Sequence, residues 1–361
     1  MTARYRRAAR GATAVLAAIT LAAAPPSRGR ASDAQCGPVG DPPATVQHGI
    51  LAGIIMRHNP ICFGGQVLGP WKDPDGDDRY ACRFGPASAS PTHPLPLLVF
   101  LHGSLATADS VSSTELKDGL ATADLGGSGP GFILLAPEGR DTSHYYPGAD
   151  STGLGWDNWY RQFDLAGTVT VGGHSYPENS DAAAIDHFID AEVATGDVDP
   201  KRIFMSGWSN GAAMAILYAL QRPQIAAAAV YSSPDPFGAF TDPCFQTPVA
   251  GAPSNDGEVQ ISNPGLHLMH VRNACDIGGI CPNGDTLAAQ LRAAGVDLTD
   301  VVLDSEGLPV KACDPRCGTN PRGGGDVPLS GSTAGFWHHV RWPSQMNPQM
   351  FQFLKNHPLP K

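Results

Sequence analysis

The chain has 361 residues, of which 42% are hydrophobic and only 16% charged, so it can bury a large apolar core. Its formal net charge is −10, and no basic stripe runs along it, which argues against a nucleic-acid partner. High counts of glycine (42) and proline (33) favour long ordered loops over long helices.

The first 31 residues have the pattern of a secretory signal peptide. A basic segment precedes an apolar segment from Ala12 to Ala24, which is too short to span a bilayer comfortably. A membrane anchor is the alternative, and we expect cleavage after Ala24 or near Ala31. Cleavage near Ala31 would remove six arginines and no acidic residue, leaving 18 basic against 34 acidic residues and a net charge of −16. We therefore predict a secreted or periplasmic protein with no stable membrane span.

The eight cysteines form an even set. Behind a signal peptide, an even set indicates disulfides formed in an oxidising compartment. Metal binding is the alternative, but the close pairs Cys275–Cys281 and Cys313–Cys317 lack the spacing of zinc ligands. We expect one local bridge within each of these pairs, no bound metal and no cofactor.

After the signal peptide, residues 32–361 are expected to form a single domain that begins with an irregular lead over residues 32–95. Short strands are expected in this lead near residues 50–55 and 80–84. Five continuous apolar segments follow, each typical of a strand buried on both faces: 96–103, 131–139, 202–207, 225–233 and 266–271. Helical patterns cover residues 180–194, 212–221, 286–294 and 348–356, with Asp181 as a candidate cap of the first. This alternation predicts a mostly parallel central sheet with helices on both faces.

The segment Gly207-Trp208-Ser209-Asn210-Gly211 lies where a predicted strand passes directly into a predicted helix. Side chains at Gly207 and Gly211 would collide with the neighbouring strand and helix, so glycines are needed there. Such a turn exposes the Ser209 hydroxyl at a helix N-terminus, where peptide dipoles favour negative charge. Because glycine is abundant, the spacing alone also arises by chance. The prediction that Ser209 is a nucleophile therefore rests on its position between strand and helix.

A serine hydroxyl needs a base to remove its proton and an acid to orient that base. In this topology, the acid and then the histidine follow the serine along the chain. Asp276, in the loop after a predicted strand, is the expected acid, whereas helix capping explains Asp285. His338 and His339 both precede the last helix; we prefer His339 as the base and leave His338 open.

Two backbone N–H groups are expected to bind the oxyanion of the reaction. One should come from Asn210, and the other from Ser104 or Leu105 in the loop after the strand that ends near residue 103. Trp156 and Trp159 lie in a long loop and are candidates for a substrate-binding platform. Core packing is the alternative explanation for one of these tryptophans.

Five segments of the chain then suggest a family: LLVFLHG, WDNWY, the long segment from DAAAIDHF through the serine to VYSS, DIGGICPNGDTLAAQLRAAGV, and HHVRWP. Together they resemble secreted α/β-hydrolase esterases, which include polyhydroxybutyrate depolymerases, feruloyl esterases and acetylxylan esterases. The resemblance covers about residues 95–357. It implies an α/β-hydrolase fold, an acyl-enzyme formed on Ser209, and no metal. The chain departs from the family pattern by having His338 where glycine is common, and by the sequence RNACD in the acid loop.

The resemblance predicts a secreted serine esterase whose partner is an ester, either a small molecule, a polysaccharide ester or a polyester. A peptidase on the same fold is one alternative, although no substrate-ordering domain is visible. An exported binding protein that keeps a hydrolase scaffold without chemistry is the other. The sequence leaves the identity of the ester and the oligomeric state open.

Overall fold

The structure is a computed structural model. It describes residues 60–73, 78–104, 106–139, 155–156, 169–171, 174–176, 179–237, 261–274, 276, 280–304, 309–310 and 338–360. The expected signal peptide, the expected strand near residues 50–55, Leu105 and Trp159 lie outside these ranges. So do the side chains of the two expected local disulfides. No helix among the described residues is both long and apolar enough to cross a membrane.

The strands, in chain order, are β1 (Gln66–Lys72), β2 (Asp78–Phe84), β3 (Leu95–Leu101), β4 (Ile133–Pro137), β5 (Val169–Val171), β6 (His174–Tyr176), β7 (Val198–Trp208), β8 (Ala227–Tyr231), β9 (His267–Asn273), β10 (Asp297–Leu303) and β11 (Pro309–Val310). The α-helices are α1 (Ser180–Ala194), α2 (Asn210–Gln221), α3 (Ile280–Ala293) and α4 (Asn347–Asn356). Short 3-10 helices cover Ala108–Ser113, Leu116–Gly119 and Ser344–Met346.

Nine of the strands form one sheet in the order β1-β2-β4-β3-β7-β8-β9-β10-β11. The six central strands β4, β3, β7, β8, β9 and β10 run parallel to one another. At the two edges, β1, β2 and β11 pair antiparallel. This arrangement confirms the predicted α/β-hydrolase fold. It also places the carboxyl ends of β3, β7, β8 and β9 side by side, which is where open parallel sheets bind ligands.

The central strands are buried on both faces because they carry no polar face. All seven residues of β3 are buried. Alternate residues of β3 point to opposite sides of the sheet, so Val99 belongs to one apolar core cluster and Phe100 to the other. One cluster includes Ile185 of α1 and Leu287 of α3; the other includes Met350 of α4. Helices therefore cover both faces, as the alternation of apolar segments predicted.

The edge strands were not predicted, apart from the segment 80–84, which lies within β2. Five of the seven residues of β10, which lies next to the edge strand β11, are exposed or half-buried, and β1 is mostly exposed. A search for continuous apolar segments detects strands covered on both faces and misses such partly exposed edges.

Helix α1 begins at Ser180 as predicted, but its capping residue differs from the prediction. Asn179 is the N-cap, and its side-chain oxygen accepts a hydrogen bond from the backbone N–H of Ala182 at 2.9 Å. Asp181 was wrongly expected to cap this helix. Its carboxylate is buried and accepts from Arg79 Nη2 at 2.5 Å, in an ion pair that includes Asp73 at 3.2 Å from Arg79 Nη1. Asp181 thus joins helix α1 to β2.

Candidate active site

Ser209 occupies a strained turn between β7 and α2. Its φ of 57° and ψ of −122° are unusual for a residue with a side chain. Its carbonyl oxygen accepts hydrogen bonds from the backbone N–H groups of Ala212 and Ala213, at 2.9 and 3.1 Å, which begin helix α2. The turn therefore holds the Ser209 side chain at the helix N-terminus and at the carboxyl edge of the sheet.

The glycines on either side of Ser209 make this turn sterically possible. A Cβ atom at Gly207 would lie 2.4 Å from the carbonyl oxygen of Gly211. A Cβ atom at Gly211 would lie 2.2 Å from the carbonyl oxygen of His102. Both distances are far below van der Waals contact, so the predicted need for glycine at the two positions is confirmed.

The structure brings the side chains of Ser209, His339 and Asp276 into one hydrogen-bonded line. His339 Nε2 lies 2.8 Å from Ser209 Oγ, and His339 Nδ1 lies 2.8 Å from Asp276 Oδ1. A carboxylate only accepts hydrogen bonds, so Nδ1 carries the proton and Nε2 presents its lone pair to the serine hydroxyl. Asp276 is 1% exposed, so its charge is shielded from water.

His338 does not join this line. It contributes its backbone carbonyl oxygen, which accepts a hydrogen bond from the Tyr231 hydroxyl at 2.5 Å. Its imidazole is half-buried, and burial lowers its pKa from the ordinary value. Of the two adjacent histidines, the structure thus places only His339 against the serine.

Ser232 also belongs to the site, and the sequence analysis missed it. It directly follows β8, is fully buried, and donates a hydrogen bond from its hydroxyl to Asp276 Oδ2. The same hydroxyl oxygen lies 3.0 Å from His339 Nδ1. Its position immediately after a buried strand, at the edge that also holds Ser209, was the available sequence indication.

The loop after β3 lies beside the serine. A Cβ atom at Gly103 would lie 3.4 Å from the Ser209 Cβ and 3.3 Å from the carbonyl oxygen of Trp208. Ser104, the next residue, is exposed. Asn210, the other expected oxyanion residue, is the first residue of α2. Both predicted oxyanion residues therefore adjoin the serine turn.

Two buried side chains, His102 and Glu138, hold this loop. His102 Nδ1 donates to the carbonyl oxygen of Gly103 at 2.8 Å, and its Nε2 accepts from the N–H of Gly139 at 2.9 Å. Burial lowers the pKa of His102 to about 4, and Arg79 contributes in the same direction. Glu138 Oε2 accepts from the N–H of Ala108 at 2.6 Å, and burial raises the pKa of Glu138 well above its usual value.

Trp156 lies beneath the site and corrects the expectation of a substrate platform. Its ring has no exposed surface, and its indole N–H donates to the carbonyl oxygen of His102 at 2.8 Å. Its backbone N–H donates to Asn210 Oδ1 at 2.7 Å. A ring packed in this way cannot stack on a substrate; it anchors the loop after β3 to the start of α2.

Asp285 is not the helix cap that the sequence suggested, because α3 begins earlier, at Ile280. Its carboxylate instead accepts from Arg272 Nη2 at 2.6 Å. The same Arg272 atom donates to Asp300 at 2.8 Å. Asp285 therefore takes part in an ion-pair cluster between α3, β9 and β10.

Within the described part of the chain, His267, Asp297 and His357 have donor atoms within 4.8 Å of one another, as a metal site would require. However, the two imidazole rings are stacked at 4.1 Å with only 25° between their planes, so their in-plane lone pairs do not converge on one point. His267 Nδ1 is also bonded to Asp297 at 2.7 Å. The group lies where β9 and β10 begin, at the opposite edge of the sheet from Ser209, and we assign it no metal.

Comparison with known proteins shows that the chain is similar to esterases. The family described as esterase PHB depolymerase matches residues 79–244, which confirms the resemblance to α/β-hydrolase esterases. No curated protein sequence matches the chain significantly.

Solved structures that resemble the chain include a thermophilic esterase from Thermogutta terrifontis, at 15% identity and a TM-score of 0.44, over 69% of this chain and 84% of that chain. The same esterase phosphorylated by paraoxon matches at 16% identity and a TM-score of 0.45, over 70% of this chain and 86% of that chain. A thermostable esterase matches at 17% identity and a TM-score of 0.45, over 82% of this chain and 64% of that chain. These likenesses are too distant to transfer an activity.

Proposed function

We propose that this protein is a serine esterase that hydrolyses carboxylic esters through an acyl-enzyme on Ser209. The observation that supports this most strongly is the line from Ser209 Oγ to His339 Nε2 and from His339 Nδ1 to Asp276, with 2.8 Å at both steps. A nucleophile, a base and an orienting acid in this order are what acyl transfer requires. The esterase family match over residues 79–244 adds independent support.

The reaction would begin when Ser209 Oγ attacks the ester carbonyl carbon while its proton passes to His339 Nε2. The tetrahedral intermediate collapses as its C–O bond to the leaving group breaks, and the imidazolium gives its proton to the departing alcohol. Water then enters and loses a proton to His339 as it attacks the acyl carbon. Collapse of the second intermediate returns the proton to Ser209 Oγ and releases the carboxylic acid.

The negative charge on the carbonyl oxygen would be bound by backbone N–H groups of Asn210 and of the Ser104 loop. The N-terminus of α2 adds a favourable peptide dipole at the same place. Such donors are effective only if they are held in place before the reaction. The buried His102 and Glu138 hold the loop through the hydrogen bonds described above.

We further propose that the protein acts outside the cytoplasm, either secreted or in the periplasm. The signal-peptide pattern of residues 1–31 supports this location. A disulfide between Cys62 and Cys82, with an S–S distance of 2.01 Å, supports it independently, since such bonds persist in oxidising compartments.

Covalent labelling with a fluorophosphonate tests the proposed chemistry directly. We expect the wild-type protein to gain one phosphonyl group on the peptide that contains Ser209, and the variant Ser209→Ala to gain none. The same substitution should lower kcat for p-nitrophenyl acetate by roughly 10⁴-fold or more. Folded wild-type protein that does not react would favour the non-catalytic scaffold instead.

A substrate panel separates the esterase from the alternative enzymes. It should contain p-nitrophenyl esters of increasing acyl length, methyl ferulate, acetylated xylan, a polyhydroxybutyrate suspension and a peptide p-nitroanilide. We expect turnover of at least one ester class and not of the anilide. Comparable kcat/KM values for the anilide and the best ester would favour the peptidase.

A further inference from the structure

Ser232 has a backbone conformation that is uncommon for a residue with a side chain. Its φ is 58°, in the left-handed region that favours glycine. Its backbone N–H donates to the carbonyl oxygen of Val271 at 2.8 Å, across to strand β9. Its side chain has no exposed surface. Glycine would avoid the strain at this position, so the hydroxyl group needs an explanation.

The contacts of the Ser232 hydroxyl are with the acid and the base of the proposed site. It donates to Asp276 Oδ2, while Asp276 Oδ1 accepts from His339 Nδ1. Because the carboxylate cannot donate, the hydroxyl hydrogen must point towards Asp276. The Ser232 oxygen, 3.0 Å from His339 Nδ1, then presents a lone pair to the same imidazole N–H. The three side chains close a ring of contacts.

We infer that Ser232 is a positioning residue for the reaction proposed above, and the inference rests on that proposed function. Each hydrogen bond to a carboxylate oxygen restricts rotation about the Cβ–Cγ bond, and so helps to keep the other oxygen aimed at the imidazole. Ser232 holds the second oxygen of Asp276 and thereby fixes the direction of the His339 ring. It acts through these two residues and touches no substrate, since it is fully buried.

The backbone around Ser232 has supports of its own. The N–H of Ser233 donates to His270 Nε2 at 3.3 Å, and the N–H of Ser232 donates to the carbonyl oxygen of Val271 at 2.8 Å. The loop can therefore stay in place without the Ser232 hydroxyl. This separates the effect of losing the hydroxyl from an effect of losing the fold.

The experiment is a double-mutant cycle on the full-length protein, with p-nitrophenyl acetate as the probe. Ser232→Ala and Ser232→Gly are each made alone and together with Asp276→Asn. Both remove the hydroxyl, but glycine also relieves the strain at this φ. We expect either single variant to lower kcat about 10-fold with little change in KM. In the Asp276→Asn background, the same changes should cost less than about twofold, since the carboxylate they act through is gone.

Ser233→Ala is the matched control, because it removes a neighbouring buried hydroxyl that contacts neither Asp276 nor His339; its kcat should equal that of the wild type. Wild-type kcat in Ser232→Gly would overturn the inference, and so would an equal loss in both backgrounds. If Ser232→Ala does not fold, Ser232→Gly decides alone. Failure of the proposed function is a different result: a wild-type protein that neither cleaves the ester nor reacts with the fluorophosphonate.

Discussion

The indole Nε1 of Trp208 donates a hydrogen bond to the carbonyl oxygen of His339 at 2.8 Å. Trp208 is the residue immediately before Ser209, so the turn that holds the serine also holds the backbone of the histidine. The indole in turn packs edge-on against Trp342, with ring centroids 6.1 Å apart. The distance between Ser209 and His339 is therefore set partly by a side chain that belongs to neither.

We expect Trp208→Phe to lower kcat for p-nitrophenyl acetate by roughly 3–10-fold with KM unchanged, because an aromatic ring is kept and one hydrogen bond to His339 is lost. Steady-state kinetics measure this. Trp342→Phe is the control, because it loses a 2.8 Å hydrogen bond to Asn347 Oδ1. It should lower the free energy of unfolding and leave kcat largely unchanged. An equal fall in kcat for both variants would contradict this role of Trp208.

The two adjacent histidines should differ sharply on substitution. We expect His339→Gln to lower kcat by roughly 10⁴-fold or more, because no base remains to accept the Ser209 proton. His338→Gln should stay within about threefold of the wild type, since the contact of His338 with the Tyr231 hydroxyl uses only its backbone carbonyl. Steady-state kinetics of the two purified variants measure this difference. A larger fall in kcat for His338→Gln than for His339→Gln would reverse the assignment.

Gly211 should be intolerant of even one methyl group. In Gly211→Ala, the new carbon would lie 2.2 Å from the carbonyl oxygen of His102, so the backbone would have to move. We expect the free energy of unfolding to fall by at least about 2 kcal/mol, measured by urea denaturation. Gly129→Ala, whose new carbon would meet nothing within 4 Å, should change it by less than about 0.5 kcal/mol. Similar losses would show that the crowding at Gly211 is relieved elsewhere.

Buried histidines should make the fold sensitive to acid. Burial lowers the pKa values of His102 and His270 to about 4, from 6.5. Below pH 6.5 these histidines therefore bind protons in the unfolded chain but stay neutral in the folded one. The free energy of unfolding falls as pH falls towards 4. Glu138 opposes this, because its buried carboxyl keeps a proton that the unfolded chain releases above its usual pKa of 4.5.

Glu138→Gln isolates these opposing contributions. Glutamine keeps the shape and an acceptor for the Ala108 N–H but does not titrate. We expect the loss of stability between pH 6.5 and 4.5 to be steeper in this variant than in the wild type, by at most about 1.4 kcal/mol per pH unit. Urea denaturation across this range measures the slope. Identical slopes would mean that Glu138 is ionised in the folded protein.

Much of this molecule was predictable because its central strands are continuously apolar. The helix over residues 180–194 was predicted at its observed bounds, and the proximity of Ser209 and Asp276 follows from loops at the same edge of a parallel sheet. The pairing of the base could not be derived in this way. Which of two adjacent imidazoles faces the serine depends on backbone geometry that residue types do not encode.

The contributions of Ser232 and His102 were missed, and the choice between core packing and a substrate platform for Trp156 was left open, for a different reason. Each arises from contacts between segments distant in the chain, such as the 2.8 Å bond from the Trp156 indole to the His102 carbonyl, 54 residues away. A tryptophan in a glycine-rich loop has the same local pattern whether it is buried or exposed. Only the fold distinguishes a platform for substrate from a support beneath the site.

The serine and its histidine are 130 residues apart in sequence. Between them the chain must complete half of the sheet and then return along its C-terminal segment, so these are among the last contacts that a folding chain can make. Partly folded or C-terminally nicked chains would retain much secondary structure yet be catalytically silent. Recovery of turnover during refolding would consequently lag behind recovery of the circular dichroism signal. The lag would measure how long the C-terminal segment takes to bring His339 to Ser209.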